Sequence, residues 1–570
     1  MSSRLQKAPF FLADADVDWV EGMLGRMSLA EKVGQVFCLV SYGPDEKSLR
    51  HMAEVLKVGG VMCRRGPVDE VVDTVRLLQE RSEIPMLLAA NLEAGGDGVS
   101  TDGTRMGSPM AVAATDDVGM AYKLGIVCGR EASAVGINWA FAPVADIDWN
   151  FRNPITNTRT FGADPQRVAD MATAYLKGLQ ENGVAATAKH FPGDGVDERD
   201  QHLVTTVNTL SCEEWDQTYG KVFRACIDAG ALAVMVGHIA LPEYSRRLCP
   251  GIKDKDILPA SLSYEITTTL LREKLGFGGL VVSDATAMAG MAMAMERSRA
   301  VPQAIAAGCD VFLFTRNLEE DLRYMRDGLE TGILTEERLT DAVRNVLALK
   351  AALQLHRKKV QDKLVPRLEA AKKMLSLDQH RTWAEECADR AITLVKEEEG
   401  ILPLSASKTR RVLLYGLDGD GDHLDGSASE SVTEKVRSML EKEGFTVEVF
   451  VAPEGLEGAM PPYEEVVARY DLMIYVANLG TRSNQTTVRI EWAPPMGSNV
   501  PIYMNAVPTV FISLENPYHL LDVPRVKTYV NTYGSSNLAL ETLMDKLMGR
   551  SPFKGSSPVD PFCGRWDSRL

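Results

Sequence analysis

Nowhere does this chain of 570 residues reach the roughly 18 consecutive apolar residues that span a bilayer. Its first residues, MSSRLQKAPFFLADADVDWVEGMLG, hold no uninterrupted apolar segment of the signal-peptide kind. No membrane partner is expected, and the expected location is cytoplasmic. Positive charge is also scarce. A formal charge of −16 disfavours a nucleic-acid partner, because such affinity rests on Lys and Arg neutralising phosphates. The nine cysteines (Cys38, Cys63, Cys128, Cys212, Cys226, Cys249, Cys309, Cys387, Cys563) are scattered singly, with no CxxC pair. That usage excludes a disulfide framework and a zinc site and leaves reduced, mostly buried thiols. Neither metal nor cofactor is expected.

What is present is an ordinary globular composition, 45% hydrophobic and 25% charged, over a length that exceeds one hydrophobic core and implies two domains. Ser28-Leu29-Ala30-Glu31 reads as a capping box opening a helix. Apolar, β-branched runs of strand length then recur at Gln35–Val40, Val58–Cys63, Pro85–Glu93, Asn138–Asp148, Ala185–His190, Ala231–His238, Leu280–Asp284 and Cys309–Thr315. Between them lie amphipathic stretches such as Asp116–Val135, Pro165–Asn182, Glu213–Ala229 and Ser261–Leu275. Strands that are apolar almost throughout, alternating with helices, imply a parallel sheet covered on both faces. Eight such units predict a (β/α)8 TIM-type barrel over residues 1–355, closed by a helix near Glu336–Leu353. A charged helical linker over 356–378 follows. A smaller doubly wound α/β domain is expected over 379–570, with strands at Arg411–Tyr415, Thr446–Val451, Leu472–Ala477, Thr509–Leu514 and Lys527–Asn531 and helices at Glu430–Lys442 and Ala539–Met548. The glycine-rich turn Gly416–Asp422 is too acidic to bind phosphate, and it lacks the Gly and Glu that a calcium loop needs at its sixth and twelfth positions. It reads as a solvated loop.

In such a barrel the active site lies at the C-terminal ends of the strands. Polar residues close several of them: Asn91 and Glu93, Asp146 and Asp148, Lys189 and His190, His238, and Asp284. Asp284, in LVVSDATAMAGM, follows a buried strand and precedes a small-residue turn, which suits a nucleophile. Met288 and Met291 beyond it read as helix packing. His238 reads equally as a core histidine or as a site residue. The loop from Ala185 to Thr205 then delivers Asp200 and His202. Its Gly, Asp, Glu and Arg content suits a surface loop that carries chemistry. Gly193 and Gly195 are candidate hinges, with the Asp200–His202 pair assembling as the loop closes on substrate.

KHFPGDG (Lys189–Gly195), the D-x-H of Asp200 and His202, and VVSDA (Val281–Ala285) together resemble glycoside hydrolase family 3, in its β-N-acetylglucosaminidase branch. FAPVADID (Phe141–Asp148), RTFG (Arg159–Gly162) and LVKEEEGILPL (Leu394–Leu404) extend the resemblance. It implies that Asp284 is the nucleophile, His202 the general acid/base and Asp200 its partner. Lys189, His190 and Arg159 would bind sugar hydroxyls, with Asn91, Asp146 and His238 as further substrate-binding candidates. The family's Asp-Gln-Glu-Gly-Gly segment is here Asn91-Leu92-Glu93-Ala94-Gly95-Gly96. Asn91 still hydrogen-bonds a hydroxyl but supplies no charge. The expected activity is that of a retaining, exo-acting β-glycosidase hydrolysing terminal N-acetyl-β-hexosaminides, with a carbohydrate as partner and the oligomeric state left open.

Other readings stand beside it. Phosphate instead of water would resolve the same intermediate in a phosphorylase, a route that an imidazole acid/base permits because it is neutral when deprotonated. A β-glucosidase-type hydrolase would use the same groups. A Schiff-base aldolase would use Lys189. A sugar-binding protein without catalysis would not need the trio of Asp200, His202 and Asp284.

Overall fold

The computed structural model describes residues 2–375, 377–398, 400–419, 431–456 and 461–570. They form two compact units: Met1–Met106 with Val118–Thr382, and Gly107–Asp117 with Trp383–Leu570.

In the first unit the expected capping box opens the helix Leu29–Gln35, after the helices Ser2–Leu5 and Asp14–Arg26. The Ser28 hydroxyl accepts the Glu31 N–H, and the Glu31 carboxylate accepts the Ser28 N–H at 2.8 Å. Its barrel strands are β1 (Phe37–Ser41), β2 (Gly60–Cys63), β3 (Leu87–Ala90), β4 (Trp139–Ala140), β5 (Thr187–Phe191), β6 (Ala233–Val236), β7 (Leu280–Ser283) and β8 (Phe312–Leu313), all parallel, and a separate parallel pair joins Thr206–Val207 to Ile239–Ala240. One sheet runs β8-β1-β2-β3-β4 and another β5-β6-β7. Parallel bridges Trp139↔Ala185 and Val144↔Lys189 join β4 to β5, and Val282↔Val311 joins β7 to β8, so the strands close into the (β/α)8 barrel. All eight strands lie where the apolar runs placed them. The fourth is far shorter than its run from Asn138 to Asp148. Pro143 has no N–H to give to a ladder, and regular pairing stops before it.

Helices fill the intervals, with local departures. The stretch from Glu213 to Ala229 is two helices, Cys212–Gln217 and Tyr219–Asp228, separated at Thr218, whose φ of −116° and ψ of −95° are non-helical. The stretch after Ser261 becomes a π-helix over Glu265–Lys274. The barrel's last helix, Glu336–Ala352, buries Lys350, whose ammonium donates to Gln35 Oε1 at 2.7 Å. Burial pushes this lysine down from about 10.5 to about 7. The unfolded chain therefore holds a proton between those values that the folded chain does not, so stability falls as pH drops from about 10.5 to about 7. Lys350→Met removes that dependence. The mutant's stability relative to wild type is expected to decline with rising pH by up to about 1.4 kcal/mol per unit across this window. Chemical unfolding at pH 8, 9 and 10 checks it; parallel curves would mean that Lys350 stays charged in the fold.

After the barrel, Leu355–Val360 and Leu368–Leu375 are helical, and the second of these packs on helices Val68–Arg81 and Val118–Ala134.

The second unit is built on β9 (Thr393–Glu397), β10 (Arg411–Asp418), β11 (Thr446–Val449), β12 (Leu472–Asn478), β13 (Thr509–Ser513) and β14 (Thr528–Asn531). Their order is β9-β14-β13-β12-β10-β11, with β9 antiparallel to β14 and the other neighbours parallel. The direction of winding reverses between β10 and β12, which makes the sheet doubly wound. Val412, Ile474, Val510 and Val530 form the core on one face, and Tyr415, Tyr475, Phe511 and Tyr529 on the other. This alternation is the period-2 pattern of strands buried on both sides. Val432–Lys442 and Asn537–Leu547 are helices, as the sequence predicts. Glu430 and the glycine-rich turn beyond Gly419 lie outside the described residues. The short piece Gly107–Asp117 belongs with this unit: Ser108 Oγ donates to the Tyr533 carbonyl at 2.7 Å, and the Ala114 carbonyl accepts the Ser556 N–H at 2.9 Å.

No helix among the described residues is long and apolar enough to cross a membrane. Seven of the nine cysteines are buried, Cys249 and Cys563 are half-buried, and no disulfide joins any of them.

Candidate active site

The strand ends carry four connected groups of side chains. The first joins three strands through Glu93. Arg159, from the single helical turn Asn157–Arg159 after β4, grips both Glu93 oxygens at 2.8 Å, and Lys189 Nζ reaches Glu93 Oε1 at 2.7 Å. Burial would raise the Glu93 carboxyl, but the charges and hydrogen bonds of Arg159 and Lys189 outweigh it and hold Glu93 well below the usual carboxylate range. Glu93 was legible only as a strand-end residue; its role as the counter-ion of two cations depends on which strands are neighbours.

His190 stands in the second group. Its Nδ1 donates to Asp146 Oδ2 at 2.7 Å, and its own backbone N–H and that of Asp194 go to Asp146 Oδ1 at 3.0 and 2.8 Å. Successive strand residues normally face opposite ways, yet Lys189 and His190 both reach the rim. The register between β5 and β6 shifts between Ala188 and Phe191, at these two residues.

Asp284 is the third. Its Oδ1 accepts the Ala285 N–H at 2.7 Å. Its Oδ2 is buried 3.9 Å from His190 Nε2, and among the described residues no donor hydrogen-bonds to it. Burial opposes ionisation here, but His190, His238, the Ala285 N–H and His202 together leave this carboxyl below its ordinary value. His202 and Arg159 are thus both near enough to Asp284 for their charges to be felt there.

The fourth group is the D-x-H pair. Asp200 Oδ1 accepts both the His202 backbone N–H at 2.8 Å and its Nδ1–H at 2.7 Å. Asp200 is buried and the His202 side chain is 27% exposed. This bond fixes the tautomer: Nδ1 carries the proton toward Asp200 and Nε2 is the free working position.

The loop that carries the pair is at the surface only in part: Glu198 and Arg199 are exposed, and Val196, Asp197 and His202 to Thr205 are half-buried. Residues Lys189 to Gly195 are all buried, as are Asp200 and Gln201. Trp215 Nε1 donates to the Pro192 carbonyl at 2.7 Å, and Tyr219 Oη to that of Asp194 at 2.8 Å. A Cβ on Gly193 would lie 2.0 Å from the Tyr219 ring, and one on Gly195 2.0 Å from the Ile147 carbonyl oxygen, with φ of +115° and +109°. Both glycines are closely packed, and the Asp200–His202 bond is formed in this structure. Composition misleads over Pro192–Asp194 because these polar groups are satisfied by Trp215, Tyr219 and Asp146.

His238 is the candidate with both nitrogens committed: Nε2 donates to the Ala285 carbonyl at 3.0 Å and Nδ1 accepts from Ser261 Oγ at 2.8 Å. Burial lowers its proton affinity. It braces the turn after Asp284. Asn91 is exposed on the rim after β3, and among the described residues no hydrogen bond or ion pair ties its amide to these groups. Asp148 accepts from Thr156 Oγ1 at 2.6 Å and from the Asn157 N–H at 3.0 Å, which shapes the turn that presents Arg159. Among the described residues, no cluster of three or more His, Cys, Asp or Glu is placed to hold a metal ion.

The sequence model of the glycosyl hydrolase family 3 N-terminal domain matches residues 28–349. A β-N-acetylglucosaminidase/β-glucosidase of Cellulomonas fimi is 53% identical over 566 residues, 99% of this chain and 100% of that one. The solved structure of a β-glucoside phosphorylase, BglX, is similar over 100% of both chains, at 43% identity and a TM-score of 0.92. That of a family 3 β-N-acetylglucosaminidase from Paenibacillus sp. str. FPU-7 covers 94% of this chain and 99% of its own, at 25% identity and a TM-score of 0.77. With its barrel matched by the family model and its whole length by such relatives, this chain belongs to glycosyl hydrolase family 3 and is a glycoside hydrolase.

Proposed function

We propose that the enzyme is a retaining, exo-acting β-glycosidase that removes terminal N-acetyl-β-hexosaminyl units through a glycosyl ester on Asp284. The observation that carries this reading is Asp284 itself: one oxygen pinned by a backbone N–H, the other buried and without a hydrogen-bond donor among the described residues, on a carboxyl held ionised. An ionised, oriented carboxylate is what attack at an anomeric carbon requires. His202, oriented by Asp200, protonates the leaving oxygen through Nε2 and then takes a proton from the incoming nucleophile. Lys189, Arg159, Glu93 and the His190–Asp146 pair offer charged donors and acceptors to the sugar hydroxyls. Lys189 is committed to Glu93, which counts against a Schiff-base role.

Phosphorolysis is the second reading, favoured by the imidazole acid/base and by the full-length likeness to a β-glucoside phosphorylase. Activity on β-glucosides as well is supported by the Cellulomonas relative's double name. Thiols without disulfides fit a cytoplasmic location. Aryl β-N-acetylglucosaminide and β-glucoside, each tested with and without inorganic phosphate, separate these readings. The expected result is turnover of the N-acetylglucosaminide to free sugar, formed first as the β-anomer. Sugar 1-phosphate formed in phosphate would transfer the assignment to phosphorolysis, and turnover of neither glycoside would sink both.

A further inference from the structure

We infer that Gln201, the residue between Asp200 and His202, is a positioning residue that keeps the proton donor in register with the nucleophile. The inference rests on the reading of His202 as the acid/base. Gln201 is fully buried, unusual for an amide unless both of its ends are satisfied. Both are. Oε1 accepts the His238 backbone N–H at 2.8 Å, just past β6, and Nε2 donates to Asp194 Oδ2 at 3.3 Å, on the loop after β5. A single side chain thereby spans two strand ends.

The backbone around Gln201 is tied to a third. Its carbonyl accepts the Gly290 N–H at 3.1 Å, that of His202 accepts the Ala289 N–H at 3.0 Å, and Thr205 Oγ1 donates to the Gly290 carbonyl at 2.5 Å. Ala289 and Gly290 open the short helix Ala289–Ala292 that follows the turn after Asp284. Gly290 allows this approach because a Cβ there would fall 2.4 Å from the Gln201 carbonyl oxygen and 3.1 Å from His238 Cβ. The segment from Asp200 to His202 is therefore seated against the nucleophile's own loop, and the Gln201 amide locks the seat. Asp194, at the far end of that amide, donates its N–H to Asp146, the partner of His190. Gln201 thus connects the acid/base to the groups beside the sugar. Displacement of a reacting group by as little as 1 Å costs about a hundredfold in rate.

Gln201→Met keeps the length and packing and deletes both hydrogen bonds. The expected result is a fall of about 10- to 100-fold in kcat/KM for β-glycosides with poor leaving groups, and little change for dinitrophenyl glycosides, which leave without protonation. The plot of log kcat/KM against leaving-group pKa then steepens, in the direction that His202→Ala steepens it. Gln201→Glu gives a second readout. It keeps the acceptor for the His238 N–H but sets a second acid against Asp194, which burial and the neighbouring Asp146 already push up to about 7 against the opposing charge of His190, so its activity on poor leaving groups should recover as pH falls and the pair of carboxyls takes up a proton. Equal losses across all leaving groups in Gln201→Met, or Gln201→Glu with a wild-type pH profile, would overturn the positioning role. Absence of steepening in His202→Ala would instead overturn the reading of His202 on which it rests.

Discussion

Asp284→Ala is expected to lower glycoside turnover on the order of 10⁵-fold or more, the scale seen when a covalent nucleophile is removed, while the protein still unfolds cooperatively near the wild-type temperature. The catalytic loss is large because among the described residues no neighbouring carboxylate is placed to replace it. The nearest basic atom is His190 Nε2, 3.9 Å away, and that ring is tied through Nδ1 to Asp146. The structural cost is small because Oδ1 takes a bond from the next residue's own N–H and Oδ2 takes none from the described residues. The barrel strand beneath it, Leu280–Ser283, owes its place to buried apolar side chains and to pairing with β6, which the substitution leaves untouched. A 2-fluoro β-glycoside should esterify Asp284 in the wild-type enzyme, and peptide mapping would locate the label. Label on any other carboxylate, or a mutant that keeps most of its activity, would remove Asp284 from the nucleophile's role.

His202→Ala should split substrates by leaving group. A poor leaving group needs protonation as the glycosidic bond breaks, so kcat/KM is expected to fall about 10²- to 10⁴-fold, the range of general acid catalysis. Activated aryl glycosides leave as stable anions and should show a far smaller loss in kcat/KM. Their kcat should still drop, because the base that resolves the intermediate is gone, and the pH–rate profile should lose the limb set by the imidazole. Asp200→Asn tests the same unit by another route. It keeps an acceptor for the His202 Nδ1–H at 2.7 Å but removes the charge that stabilises the imidazolium, so its losses should follow the same order. Equal slowing of all substrates in His202→Ala would refute the acid role, and an unchanged pH profile would refute the base role.

Much of this was readable along the chain, because the relevant signals are local. A strand of a buried parallel sheet must be apolar over its length, so eight apolar runs separated by amphipathic helices suffice to name the barrel. A residue that ends such a run must sit at the rim, so Lys189, His190, His238 and Asp284 were candidates on position alone. The Ser28–Glu31 capping box needs only four consecutive residues and was found where its pattern stands. The (β/α)8 barrel and the doubly wound sheet after it both follow from periodicity of this kind.

What periodicity cannot carry is the pairing of residues that are distant in sequence, and there the folded chain decided. Glu93 became the shared counter-ion of Arg159 and Lys189 because barrel closure brings the ends of β3, β4 and β5 side by side. His238, which the sequence leaves equally poised between core and pocket, lost both nitrogens to Ser261 and Ala285. Residues Gly107–Asp117 joined the second unit through Tyr533 and Ser556, partners more than 400 positions away. The polar loop that looked destined for solvent keeps Glu198 and Arg199 exposed but buries Lys189 to Gly195, Asp200 and Gln201, since their polar groups found partners on neighbouring elements instead of water. Composition reports what a segment would prefer alone; a hydrogen bond across the barrel changes that preference, and only the closed ring of strands determines which bonds can form.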